Sequence, residues 1–414
     1  MTMRISTNQI FQNGLNNILR QEARVAQLNE QLSDGFVKVQ TSADDPIAFA
    51  QIQLMNQRIS MTEFLQKNRQ NADSALSMEE DILNDCTSTL MRIRDLQVKA
   101  GNPALSEENR KSLAASAMEL LNELLSFANA KDIYGDYMFS GSQTATQPFS
   151  MDASGNYVYN GDSTQRFQLV MSDLQVAINN PGDTVFMRIP TGNGVFSVGQ
   201  TATPNTGTAS VSTGSVVNSS AYVPDNYTMS FALNSQGNLV VMVSGVSSGY
   251  VIPPSGLPDD APLYQEDMDV SFNGIEVSVS GTPQPGDTFS IIPAQNTSVF
   301  AIIQNMINNL NQPYSTATDK AAATTVNNQI LAELDSALST ILDTRASLGS
   351  RLKQLEQADI SNTNLIELST IVLGSIQATN PIQVASEYEQ EQIYLQVALK
   401  SFVQIQSMSM FNYL

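Results

Sequence analysis

The chain contains no His and no Trp, a single cysteine, Cys86, and only 14% charged residues. Without His, neither a Ser-His-Asp nor a Cys-His arrangement can be assembled. With one Cys besides, a zinc site of the usual tetrahedral kind lacks ligands. One Cys also excludes an intramolecular disulfide, and its place in an apolar heptad reads it as a small core residue, not a reactive thiol. Basic residues are scarce: 20 Lys and Arg stand against 40 Asp and Glu, a net charge of −20. Nucleic acid and anionic membrane are poor partners for such a field. No apolar run approaches the length of a membrane span, and the longest, such as Leu239 to Val243, suit strands, so no membrane insertion is expected. Between Met1 and Arg20 the residues Asn8, Gln9, Gln12, Asn13, Asn16 and Asn17 occupy the stretch that a Sec signal fills with apolar side chains. No Sec signal is read. Asn, Gln, Ser and Thr cover the surface that charges leave free, which suits subunits that pack against copies of themselves.

What the chain does have is helical periodicity at both ends. With 414 residues there is enough length for two or three domains and a sizeable core. Phe11, Leu15, Ile18, Val25, Leu28 and Leu32 form a first amphipathic helix, which Asp34-Gly35 ends. Asp45 as N-cap and Pro46 as first helical residue start a second, whose stripe reads Leu54, Met61, Leu65, Ala72, Ala75, Ile82, Cys86, Ile93 and Leu96. Gly101-Asn102-Pro103 stops it. Ser106, with Glu107 and Glu108 behind it, caps a third helix striped by Leu113, Ala117, Leu120, Leu124 and Phe127. Helical spacing resumes at Val299, Ile303, Met306 and Leu310, breaks near Pro313, and returns from about Lys320 to Asp359. There Leu334, Leu338, Ile341, Leu348, Leu352 and Leu355 keep a four-three spacing that only Arg345 interrupts. The last helix carries Val384, Tyr388, Leu395, Ala398, Phe402 and Ile405 and mirrors the first.

Between these ends the character changes from Tyr134 onward, and strand-type alternation is broken by Gly, Pro, Asn and Asp. Strands are expected within Asn156 to Asn160, Thr184 to Pro190, Tyr227 to Leu233, Leu239 to Val243, Asp269 to Ser280 and Asp287 to Ile292, with an Asn273-Gly274 hairpin turn. Thr201 to Ser220, rich in Thr, Ser and Gly, reads as a flexible loop or an edge connection that divides the β-region into a pair of subdomains. The fold class is therefore α+β: a discontinuous bundle or coiled coil of long helices from both termini, with an inserted, mainly β central domain. Three domains are expected, 1–40 with 384–414, 41–149 with 297–383, and 150–296.

Candidate chemistry is thin. Asp44-Asp45, Glu79-Glu80-Asp81 and Asp259-Asp260 are the dense carboxylate spots. They read respectively as a helix cap, the solvated side of a long helix and a Pro-rich turn. Gly192-Asn193-Gly194 lacks the rest of a phosphate loop and reads as a turn. No catalytic, metal or cofactor-binding residue is assigned, and no cofactor is expected.

Several short segments, in order and on both sides of the insert, resemble one family. Met3-Arg4-Ile5-Ser6-Thr7, Leu32-Ser33-Asp34-Gly35, Ser42-Ala43-Asp44-Asp45-Pro46-Ile47-Ala48, Tyr137-Met138-Phe139-Ser140-Gly141-Ser142, Gln147-Pro148-Phe149, Arg345-Ala346-Ser347-Leu348-Gly349 and Ser407-Met408-Ser409-Met410-Phe411 are similar to the flagellar hook-filament junction family, the hook-associated branch of the flagellin-like proteins. Flagellins usually have an Asp-Asp-Ala-Ala type segment where this chain has Asp44-Asp45-Pro46-Ile47, and they end differently. The resemblance implies a non-enzymatic structural subunit of the bacterial flagellum, extracellular, exported through the flagellar type III apparatus with an export chaperone. It also implies self-association in a ring that meets the first hook-associated protein and flagellin. The terminal helices would then assemble through Phe11, Leu15, Ile18, Val25, Leu28, Leu32, Val384, Tyr388, Leu395, Ala398, Phe402 and Ile405, bare in the single chain and buried between neighbours. A flagellin filament subunit is the alternative, and a secreted protein that binds or cleaves carbohydrate with its β-domain is another.

Overall fold

The computed structural model describes residues 7–33, 45–102, 104–201, 204–378 and 381–411. The α+β architecture is as expected from the sequence. Helices α1 (Thr7–Ser33), α2 (Pro46–Ala100) and α3 (Glu107–Ala128) precede the β-rich stretch, and α4 (Val299–Asn311), α5 (Ala317–Gln377) and α6 (Pro381–Phe411) follow it. Two compact units are present, one of Met1–Lys67 with Ala358–Leu414 and one of Asn68–Gln357.

Helix starts follow their capping chemistry. Asp45 Oδ1 accepts from the Ile47 and Ala48 N–H groups, each at 3.0 Å, and Pro46 opens α2. Ser106 Oγ accepts from the Asn109 N–H at 3.2 Å to open α3. At α5 Thr316 Oγ1 accepts from the Asp319 N–H at 3.1 Å while Asp319 Oδ2 accepts from the Thr316 N–H at 2.8 Å, a reciprocal box that periodicity alone did not show. The stop at Asp34-Gly35 and residues 41–44 lie outside the described residues, as does Pro103.

In the larger unit the seam of α2 differs from the expected one. Ala72, Cys86 and Ile93 are buried as anticipated, but Leu76, Leu83 and Leu90 fill the alternate positions, each at 0% exposure, while Ala75, Ile82 and Leu96 are only half-buried. The physical reason is that the true four-three seam also contains polar residues. Asn68, Glu79 and Gln97 occupy it: Asn68 Nδ2 donates to Leu169 O, Glu79 accepts from Asn180 Nδ2, and Gln97 Nε2 donates to the Asn327 side chain and carbonyl. Glu79 therefore does not lie on a solvated face: it is 1% exposed, and its neighbour Glu80 accepts from Arg345 of α5 at 2.7 Å. The arginine that breaks the α5 stripe is thus the partner of a carboxylate on α2. Leu334, Ile341, Leu348 and Leu355 are buried as read, with Leu338 and Leu352 half-buried. α3 turns its Ala114, Ala117, Leu121 and Leu124 side inward, and the whole apolar face of α4, from Val299 to Leu310, is covered.

The β-region begins with paired strands Phe149–Met151 and Tyr157–Tyr159, then Phe167–Met171 and Leu174–Ala177. Thr184 to Pro190 is not one strand. Asp183–Met187 is a π-turn, fixed by the Gly182 N–H on Phe139 O at 2.8 Å and by the burial of Phe186, and only Ile189–Pro190 is extended. Phe186 and Tyr157 meet Phe300 of α4 at centroid distances of 6.0 and 5.3 Å, which ties this stretch of the β-region to the helices. Beyond it stands a sandwich. A five-stranded sheet contains Phe196–Gln200, Tyr227–Leu233, Leu239–Gly245, Gly249–Ile252 and Thr288–Pro293. It packs on a second sheet built around the hairpin Met268–Phe272 and Ile275–Ser280. The hairpin turns at Asn273 and Gly274, with φ 44° and 79°, as an Asn-Gly turn requires. Residues 201–220 do not separate the β-region into subdomains: they carry strands Ser210–Val211 and Ser215–Val216, which pair with Ile275–Ser280 in the same core.

Candidate assembly interface

α1 and α6 lie side by side and antiparallel within the smaller unit. The Phe11 and Phe402 rings meet in a tilted contact with centroids 5.0 Å apart, the Gln21 amide donates to the Glu391 carboxylate, and Arg24 approaches Glu387 at 3.9 Å. Rising numbers on one helix meet falling numbers on the other. Gly14 is what allows the close approach, because a Cβ there would stand 2.9 Å from the Phe402 ring. Where α2 and α5 pass through this unit, the Gln66 side chain bonds both Asp359 and Asn362.

This pairing places most of the residues read as an assembly stripe against one another inside the single chain. Ile18, Leu28 and Val384 are 8%, 1% and 2% exposed, and Val25, Leu32, Tyr388, Leu395, Ala398 and Phe402 are half-buried. The expectation that this stripe is bare before assembly is corrected: its partner is the other terminus, since two antiparallel heptad faces cover each other. Phe11 and Leu15 keep 40% and 37% exposure near the open end of the pair. The side chain of Ile405 lies outside the described residues.

A different set of apolar residues is bare. On α6, Ile382, Ile393 and Val397 lie opposite the seam at 81%, 58% and 55% exposure, and Tyr394, Leu399 and Val403 flank them. On α1, Leu19 is 53% exposed. A helix apolar on two opposite faces is normally covered on both. These residues were legible in the sequence as a second stripe at eleven- and four-residue spacing, but the heptad stripe is the stronger signal and masks it. Bare apolar residues recur in the same unit on α2 at Ile47, Leu54, Met61 and Phe64, and on α5 at Leu368 and Ile371.

No cluster of metal-ligand type occurs among the described residues, and no described helix is long and apolar enough to cross a membrane. Asp259, in the single turn Pro258–Asp260, accepts from the N–H of Ser235 in a separate turn at 2.6 Å, and Asn193 Oδ1 accepts from the Val195 and Phe196 N–H groups at 3.1 and 3.0 Å. Both are turns, as expected. Cys86 is buried, and desolvation followed by the nearby Asp85 pushes its thiol well above the ordinary range.

Residues 5–144 match the bacterial flagellin N-terminal helical region. The crystal structure of the flagellar junction protein FlgL from Legionella pneumophila is 60% identical, covers 79% of this chain and 99% of its own, and superposes with a TM-score of 0.74. The Xanthomonas campestris FlgL structure is 28% identical, covers 75% of this chain and 99% of its own, and gives a TM-score of 0.67. Flagellar hook-associated protein 3 of Escherichia coli strain K12 is 23% identical over 411 residues, 99% of each chain.

Proposed function

The chain belongs to the family of flagellar hook-associated protein 3, or FlgL, and we propose that copies of it close into a short ring between the first hook-associated protein and flagellin. It is a structural flagellar junction protein, and its relatives are structural proteins of the bacterial flagellum. Flagellin is the less supported reading: flagellar hook-associated protein 3 of Escherichia coli aligns over 99% of the chain, whereas the flagellins of Treponema pallidum and Vibrio anguillarum align over 39% and 35% of it. Export through the flagellar type III apparatus, with a chaperone holding the termini, belongs to the same proposal.

The observation that carries the ring is the second apolar face of α6. α1 already covers the Val384 side, so Ile382, Ile393 and Val397 are left for another molecule. Burying several such side chains at roughly 1.5–3 kcal/mol each could offset the entropy of ordering a subunit. Immunogold labelling of purified flagella tests the location: a single band at the filament base is expected, and label along the filament would establish the flagellin reading instead. An Ile393→Cys variant in a Cys86→Ala background tests the contact. Its thiol should react with a maleimide in dilute monomer and be protected on flagella, and equal reactivity in both would refute the contact.

A further inference from the structure

Just beyond the end of α3, in the larger unit, the chain makes an ordered turn that holds two large apolar side chains in water. Lys131 and Tyr137 pair as an antiparallel bridge, the Met138 N–H donates to Ala130 O at 3.1 Å, and the Asp132 N–H donates to Asp136 O at 2.8 Å. Asp132 Oδ1 accepts from the Tyr134 and Asp136 N–H groups at 2.8 and 3.0 Å, and Gly135, at φ 87°, supplies the left-handed residue that closes the turn. Ile133 and Tyr134 at its tip are each 78% exposed. Single bare apolar residues are ordinary on a protein surface, but these two are adjacent and their backbone is already ordered, so binding through them forfeits little further entropy.

Earlier on the same helix is a notch of complementary character. A cleft of about 380 Å³ lies between α2 and α3, with Leu96 and Leu120 as its apolar lining and Arg92, Lys99, Glu119 and Glu123 among its charged lining. Arg92 is engaged by Glu123 at 3.1 Å, whereas Lys99 makes no ion pair among the described residues. We infer that the Ile133–Tyr134 tip of one copy docks in the α2–α3 cleft of the next, a contact that rests on the ring proposed above. Within one chain tip and cleft do not meet, since both tip side chains stay bare. Tyr134 brings a large apolar area at the cost of two torsions, which the leucines cover, and its hydroxyl can donate to a lining carboxylate such as Glu119. Asp136 on the same turn, itself without an ion pair among the described residues, is the counter-charge for Lys99. A tip and a cleft at different places on one chain make a head-to-tail contact, and such a contact repeated from copy to copy closes a ring, whereas a patch that meets its own image yields only a pair.

A pair of cysteines in a Cys86→Ala background tests this contact: Tyr134→Cys on the tip and Glu119→Cys in the cleft, treated on purified flagella with a short bis-maleimide and read by immunoblot against this chain. The double variant should give a ladder of covalent multimers and each single variant only monomer, because tip meets cleft and neither meets itself. Monomer alone from the double variant would overturn the contact, as would a ladder from either single variant or a product that stops at the dimer once both thiols are consumed. Should Tyr134→Cys keep a folded chain off the flagellum, Asp136→Cys takes its place and leaves both apolar side chains intact, with the same outcomes deciding. Immunogold labelling of the parent chain keeps the two readings apart: label at the filament base with no ladder refutes the contact alone, whereas no label there refutes the junction itself.

Discussion

Leu76 has no exposed surface, whereas Leu54 on the same helix is 58% exposed, although the spacing of apolar residues in the sequence favours Leu54 over Leu76. The reason lies with individual side chains. A heptad is recognised by its apolar members, and this one contains Glu79 and Gln97, whose partners Asn180 and Asn327 are distant in the chain and invisible to periodicity. Reading the carboxylate as solvated moves the inferred seam one position along. Cys86 belongs to both versions of the stripe, so its burial was legible without its partners. Leu76→Ala should lower stability to urea unfolding by about 2–5 kcal/mol through the cavity it leaves. Leu54→Ala should change it in the isolated chain by no more than about 0.5 kcal/mol. Equal losses at the two positions would contradict this seam.

At the scale of elements, the second and third helices were legible because their start signals are chemical as well as periodic: Asp45-Pro46 and Ser106 act within one turn of the residues they cap. The π-turn at Asp183–Met187 was not, because its β-branched and aromatic residues favour strand locally and its geometry is set by Phe139 and Phe300 from elsewhere. α6 shows a third case, in which both of its apolar stripes are real and only packing reveals which one is spent within the chain. Changing Ile393 and Val397 together to Glu should leave the melting curve of the monomer nearly unchanged, since both are exposed, within about 0.5 kcal/mol for each site. Flagella should nevertheless stop at the hook, with flagellin released into the medium. Changing Leu395 and Phe402 together to Glu should instead unpair α1 from α6 already in the monomer, costing about 1–3 kcal/mol per site. Normal filaments from cells carrying only the first double variant would remove the outer face of α6 from assembly.

For the whole molecule, the change from helical to strand character was legible near residues 134–150, but the point at which the chain can be cut without harm was not. Composition changes where strands begin, whereas independence depends on which side chains share a core. Phe149, Tyr157 and Phe186 all pack on Phe300 of α4, so the first β-strands belong to the helical body. The separable portion starts later. The Thr191 N–H donates to Gln295 O at 2.8 Å and the Gln295 N–H to Thr191 Oγ1 at 3.0 Å, so the chain leaves for the sandwich and returns from it at one place. The sandwich has its own core, and it meets α5 through polar contacts such as the Val211 N–H on Thr325 Oγ1 at 3.3 Å and Asn328 Nδ2 on Val211 O at 3.2 Å. Replacing residues 192–294 by a short Gly/Ser linker should therefore leave a folded helical body that is still exported and still forms the junction. Removing residues 150–295 instead strips Tyr157 and Phe186 from Phe300 and should cost about 3 kcal/mol or more, seen as a lower melting temperature or as degradation before export. If the two deletions behave alike, the strands before Thr191 do not belong to the helical core; if the shorter one folds but forms no junction, the sandwich itself is needed for assembly.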